Sequence, residues 1–80
     1  MATVHFAQSL TRYTGGVASV DVDAGRVGEL LLEVGERFPA LVAPLEVMAV
    51  AIDGEVHHEP EFVTLSAESE IHFVPRIAGG

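Results

Sequence analysis

Residues 26–39 read Arg26-Val27-Gly28-Glu29-Leu30-Leu31-Leu32-Glu33-Val34-Gly35-Glu36-Arg37-Phe38-Pro39, and in them Val27, Leu30, Leu31, Val34 and Phe38 fall at i, i+3, i+4, i+7 and i+11. That spacing winds the apolar side chains onto one face of a helix. Glu29, Glu33, Glu36 and Arg37 fill the solvent side, with Glu29 near the positive end of the helix dipole. No Ser, Thr, Asn or Asp immediately precedes Arg26, so the helix start has no side-chain cap unless Gly25 supplies the N-cap itself. Gly28 and Gly35 each cost up to about 1 kcal/mol relative to alanine in a helix interior. The helix therefore depends on packing against a sheet, and Pro39 ends it at Phe38.

Upstream, Thr3 to Ala7 alternates, with Val4 and Phe6 on one face and His5 and Ala7 on the other, the period of a half-buried strand. Thr14-Gly15-Gly16 marks a turn, and Val17 to Asp23 places Ala18, Val20 and Val22 opposite Ser19, Asp21 and Asp23. The two segments read as a hairpin with a long loop, because Gln8 to Tyr13 alternates only weakly. Downstream, Val47 to Ile52 is the most apolar strand, and Asp53-Gly54 is a two-residue hairpin signal leading into Glu55-Val56-His57, which predicts an antiparallel edge. Pro60 breaks the pattern, Phe62 to Leu65 is a short apolar link, and Ser66 to Glu70 is a polar turn. Ile71 to Val74 forms the last strand, with Ile71 and Phe73 opposite His72 and Val74. One helix with a single apolar face is buried against one face of a sheet. The order thus predicts an α+β domain, a mixed sheet of four to five strands with one main helix on one face and a right-handed crossover through that helix. A single domain over 1–80 is expected.

The chain has no cysteine, which removes disulfides, thiolate metal sites and cysteine nucleophiles. Twelve acidic residues against four arginines give a net charge of −8, which disfavours nucleic acid and favours partners with basic surface. Lysine is absent. No apolar run approaches the ~20 residues of a membrane span and the start lacks a basic signal region, so a cytoplasmic protein is expected. A chain this short holds a small core but hardly a catalytic cleft.

The last residues are Val74-Pro75-Arg76-Ile77-Ala78-Gly79-Gly80. Pro75 cannot donate to a sheet ladder, so pairing is expected to fail near it and leave 75–80 as a flexible tail. The five residues from Arg76 to Gly80 can extend about 16 Å at ~3.3 Å per residue, far enough to enter another protein's active site. Gly79 and Gly80 lack Cβ atoms and fit a narrow channel, leaving the terminal carboxylate to react. An ordinary frayed terminus is the alternative.

This order of elements, in about this length and closing on Gly-Gly, resembles the β-grasp fold of ubiquitin-like proteins. Glu70-Ile71-His72-Phe73-Val74-Pro75-Arg76-Ile77-Ala78-Gly79-Gly80 is similar to the ending of the MoaD/ThiS family of sulfur carriers. Arg12-Tyr13-Thr14-Gly15-Gly16 and residues 26–39 resemble the first turn and helix of small prokaryotic ubiquitin-like carriers. Ser69 stands where the family usually has aspartate, and Arg76 replaces the second proline common in molybdopterin-synthase small subunits.

The resemblance implies a carrier that is no enzyme on its own. Its Gly80 carboxylate would be adenylated by a ubiquitin-activating-type adenylyltransferase (MoeB/ThiF-like) with Mg-ATP, no cofactor being bound by the carrier. The product would be converted to a thiocarboxylate that donates sulfur. Molybdenum cofactor biosynthesis is the leading pathway, with a molybdopterin synthase large subunit as acceptor; carriage for cysteine, thiamine or tRNA thiolation, and conjugation to lysines as a protein modifier, stay open. Gly79, Ala78, Ile77, Arg76, Pro75 and Phe73 are the expected partner contacts, with Arg76 suited to bidentate binding of a carboxylate. Docking is expected on the sheet face away from the helix, over Ala7, Ala49, Ala51 and Val74, with His5 and His72 at its rim. His57 and His58, beside Glu55, Glu59 and Glu61, are candidate zinc ligands by type, but adjacent strand residues point to opposite faces, so no metal site is expected.

Overall fold

The computed structural model describes residues 1–76 of the chain. Strands β1 (Ala2–His5) and β2 (Ser19–Val22) precede helix α1 (Val27–Arg37) and a short helix α2 (Val42–Glu46). Strands β3 (Met48–Ile52), β4 (Glu55–His57) and β5 (Glu70–Pro75) follow, and the sheet order is β2-β1-β5-β3-β4. β1 pairs antiparallel with β2 and parallel with β5, while β3 pairs antiparallel with β5 and β4. These pairings make β2 and β3 run the same way, so α1 is the crossover that a parallel return requires. The expected two-layer α+β arrangement is what the chain adopts, and no helix among the described residues is long and apolar enough to cross a membrane.

The layers meet at Val4, Val22, Val50 and Ile71 of the sheet and Val27, Leu30 and Val34 of α1, all buried, with Leu41 closing one end. Burying each such side chain stabilises by about 1.5–3 kcal/mol, which outweighs the ~2 kcal/mol that Gly28 and Gly35 together cost the helix. Phe6 bridges the layers, edge-on to Phe38 at 5.6 Å between ring centroids and stacked at 6.3 Å on Phe73.

Phe73 corrects an expectation. It is 5% exposed and belongs to this core, because it has the same strand parity as Ile71, which faces α1. On the helix side of the sheet it lines a groove beside α1 and α2, away from the outer face where docking is expected.

The start of α1 is capped from outside the helix. Val63 O accepts from Val27 N and Glu61 O from Gly28 N, each at 3.0 Å, while Leu65 N donates to Gly25 O. Glu29 Oε1 reaches back to Gly25 N at 3.1 Å. The 61–65 segment therefore runs antiparallel to residues 25–28, with Arg26 and Thr64 forming a bridge. Gly28 permits that approach, since a Cβ there would stand 3.1 Å from Glu61 O.

Three helical pieces, α2 among them, were not expected. Gln8–Tyr13 is a 3-10 helix that buries Leu10, and Pro39–Leu41 is another that leads directly into α2. Pro44 lies in the first turn of α2, where an N–H has no intrahelical partner to lose. β5 also continues to Pro75, in register with Met48, one residue beyond the expected end. The hairpin reading holds: Asp53 at φ 50° and Gly54 at φ 87° make the turn with two positive φ values that Asp-Gly favours.

Two stability predictions follow from this packing. Gly28→Val drives side-chain atoms into a carbonyl that must stay close to bond Gly28 N, and is expected to cost about 1–3 kcal/mol. At roughly 4–8 °C per kcal/mol in a domain of this size, thermal denaturation should show a clear fall in Tm; an unchanged Tm would mean that segment 61–63 does not press on the helix. Phe73→Ala should cost about 3–5 kcal/mol, against less than about 0.5 kcal/mol for the exposed neighbour His72→Ala. Equal Tm losses for the pair would refute the core placement of Phe73.

Candidate functional site

Central strand β5 delivers the chain to its C-terminal end. Pro75 is exposed and still paired, and Arg76, also exposed, donates from Nη2 to His58 O at 3.2 Å. That contact ties the last described side chain to the segment just after β4. Ile77, Ala78, Gly79 and Gly80, the remaining expected partner contacts and the expected reacting residue, lie outside the described residues.

The sheet face away from α1 is laid out by register. Ser19, His5, His72, Ala51 and Val56 form one row across all five strands, because each is the pairing partner of the next. Asp21, Thr3 and Glu70 form a second row beside it. In the first row the His5 and His72 rings stack with centroids 4.7 Å apart and 13° between planes. His5 Nε2 lies 2.6 Å from Glu70 Oε1, and Thr3 Oγ1 donates to Asp21 Oδ1 at 2.9 Å. The histidines were expected at the rim; they stand at the middle instead, because β1 and β5 are interior strands.

The alanines of this face also differ from expectation. Ala49 is 1% exposed and Ala51 8%, since each Cβ lies below the tops of the larger side chains beside it. They form a low floor between Val74, His72 and Val56, their register neighbours, and offer little contact area of their own. A partner settling here would meet Val74, half-buried, and Val56, 50% exposed, around the imidazole stack. The arrangement suits docking through an apolar patch with hydrogen-bonding groups at its centre.

The root of β5 is held by groups the sequence pattern did not single out. Asp53, at the hairpin tip, donates from its N–H to Glu70 O and accepts from Glu70 N through Oδ1, both at 2.9 Å. Buried Ser69 accepts from Ser66 N at 2.9 Å through Oγ, and its carbonyl accepts from Thr3 N at 3.0 Å. A serine thus supplies the turn acceptor that an aspartate would supply, in agreement with the reading of that position as a turn residue. The signal for Asp53 lay in the Asp-Gly pair itself, but its hold on β5 depends on strands distant in sequence.

His57 Nε2 stands 3.4 Å from Glu55 Oε1, an exposed contact, and His58 contributes its carbonyl to Arg76. No group of three or more His, Asp or Glu side chains placed to hold a metal ion occurs among the described residues. No buried side-chain polar atom among them lacks a hydrogen-bond partner. Among the described residues the body thus presents an outer sheet face with Val56 and Val74 beside the stacked histidines, and a final strand tied into the sheet.

Comparison with known proteins places this geometry. A model of the ThiS family matches residues 4–80. A search of curated proteins gives no match. Among solved structures, a chain of the Amycolatopsis orientalis BexX/CysO complex is similar with a TM-score of 0.84 at 22% identity, covering 100% of both chains. SAMP1 from Haloferax volcanii is similar at 0.76 and 22% identity, over 99% of this chain and 98% of that one. Mycobacterium tuberculosis CysO gives 0.81 at 13% identity, over 96% and 100%. At these identities the structures speak for the β-grasp fold alone, while the family match extends over nearly the whole sequence, the Gly-Gly ending included. The chain belongs to the ThiS family and is a ubiquitin-like sulfur carrier of the MoaD/ThiS type.

Proposed function

We propose that this protein carries sulfur on the carboxyl group of Gly80, as the last residue of the chain. The observation that carries the reading is the match of the ThiS family through residue 80, joined to a body in which the strand leading to that end is the central strand of the sheet. A free carboxylate is a poor electrophile. Attack of its oxygen on the α-phosphate of Mg-ATP, in the pocket of a MoeB/ThiF-like adenylyltransferase, would give an acyl adenylate and release pyrophosphate. A donor delivering sulfur at the sulfide level then attacks the carbonyl carbon; the C–S bond forms, the C–O bond to AMP breaks, and no electrons are lost or gained. The resulting thiocarboxylate is the nucleophile handed to an acceptor enzyme.

The body's role in these steps is placement. β5 is paired with β1 from Glu70 to His72 and with β3 as far as Pro75, so residues 77–80 follow a strand held in the sheet. The outer sheet face, with Val56 and Val74 around the His5 and His72 stack, is the surface on which the adenylyltransferase settles while residues 77–80 enter its channel. A molybdopterin synthase large subunit is the acceptor favoured by Phe73, Pro75 and the Ile-Ala-Gly-Gly ending; Arg76, where a second proline is usual, favours an acceptor with a carboxylate at that point. Conjugation to lysines is the second reading, supported by the similarity to SAMP1, described as a small archaeal modifier protein.

Intact-mass analysis separates the readings. After incubation with its adenylyltransferase, Mg-ATP and a sulfide donor, the full chain should gain the mass of one oxygen-to-sulfur exchange, and deleting Gly80 or adding a residue beyond it should abolish the gain. Higher-mass amide conjugates without that exchange would favour the modifier, and no ATP-dependent change of any kind would sink both.

A further inference from the structure

On the helix side of the sheet, α1 and α2 part over an open groove of about 340 Å³. Leu31, Val42, Leu45 and Phe73 give it an apolar lining. Gly35 keeps the two helices close at one end, where a Cβ would stand 3.2 Å from Val42 Cγ2. Val42 itself is 48% exposed, and Val47 and Phe62, which adjoin the lining residues Glu46, Met48 and Glu61 in the chain, are 68% and 83% exposed. Exposed apolar groups gathered at a concave site mark a binding surface, whereas single ones scattered over a surface need no explanation.

Charge at the mouth narrows the occupant. Glu46 and Glu61 line the groove, and neither makes an ion pair among the described residues. Arg76 also borders it, but its guanidinium is turned to His58 O. The whole chain, at −8, draws cations in the same direction. A volume of this size takes one or two large side chains.

We infer that the groove formed by Leu31, Val42, Leu45 and Phe73 is a second docking site, which takes a protein segment with a large apolar anchor flanked by Arg or Lys. The anchor fills the apolar cavity and its basic neighbours pair with Glu46 and Glu61. The site lies in the helix layer and the outer face lies across the sheet, so both can be engaged at once. Arg76 borders the groove, and four residues can span at most about 13 Å, so a protein bound in the groove stands near whatever the chain's last residues enter.

The test uses the isotope-labelled full chain and two synthetic ten-residue peptides, each with a central Leu-Phe pair, one flanked by arginines and its twin by glutamates. Amide shifts of Leu31, Val42, Leu45 and Met48 should move saturably with the arginine peptide, and the twin should bind at least about tenfold more weakly. Val42→Glu, at a half-exposed position that should leave Tm nearly unchanged, should weaken the arginine peptide by roughly tenfold or more, because a carboxylate then faces the apolar cavity. Shifts spread over the acidic surface or centred on His5 and His72, equal binding of the twins, or indifference to Val42→Glu would overturn the proposal. So would groove shifts on deleting residues 77–80, which would make the chain's own end the occupant, or groove shifts on raising protein concentration without peptide, which would make it a second copy.

Discussion

β5 is paired along both edges, parallel to β1 over Thr3↔Glu70 to His5↔His72 and antiparallel to β3 over Met48↔Pro75 to Ile52↔Ile71. Its inward residues Ile71 and Phe73 are buried against the helix layer. A chain end is ordinarily the first place where a domain frays, since its backbone bonds on one side only. Here the final strand is the spine of the sheet, and among the described residues the hairpins β1–β2 and β3–β4 pair with each other in the sheet only through it. Pulling on residues beyond Arg76 therefore loads the central strand of the sheet, which suits the proposed handling of this end by other proteins.

The same economy governs α1. Its sequence offers no side-chain cap and two interior glycines, yet its first N–H groups are satisfied by Glu61 O and Val63 O. Gly28 eases that capping, because a Cβ there would stand 3.1 Å from Glu61 O and press on the carbonyl. The cost in helix propensity and the gain in backbone hydrogen bonding fall on one residue. The link from Pro60 to Leu65 is in this sense a cap delivered from a segment distant in sequence, and it also places Pro60 and Glu61 in the lining of the groove.

What the sequence disclosed follows from range. The β1, α1, β3, β4 and β5 patterns are periodic over four or more residues or carry a strong turn pair, so they could be read locally, as could the end of α1 at Pro39. The helix α2 could not, because five residues hold little more than one turn and Pro44 argues against a helix unless it is already known to sit in the first turn. The 3-10 helix at Gln8–Tyr13 buries one residue, Leu10, too few to make a period. Parity alone placed Phe73 on the face of Ile71, and the assignment of Phe73 to partner contact came from the family ending instead; the buried side chain follows parity. His5 and His72 were readable as neighbours, but their central position needed the full strand order.

The absence of cysteine and lysine takes on meaning when set against the proposed chemistry. An acyl adenylate reacts with amines and thiols, and no side chain of this protein is either, the four basic residues being arginines. The activated carbonyl therefore has no lysine or cysteine of its own chain to acylate, whatever conformation the last residues take. Arginine supplies cations for docking without supplying a nucleophile, since its guanidinium stays protonated. A carrier that must survive activation long enough to meet its sulfur donor gains from such a composition. In the proposed scheme reactivity is confined to a backbone carboxyl group, and the two proposed docking faces lie on either side of the strand that leads to it.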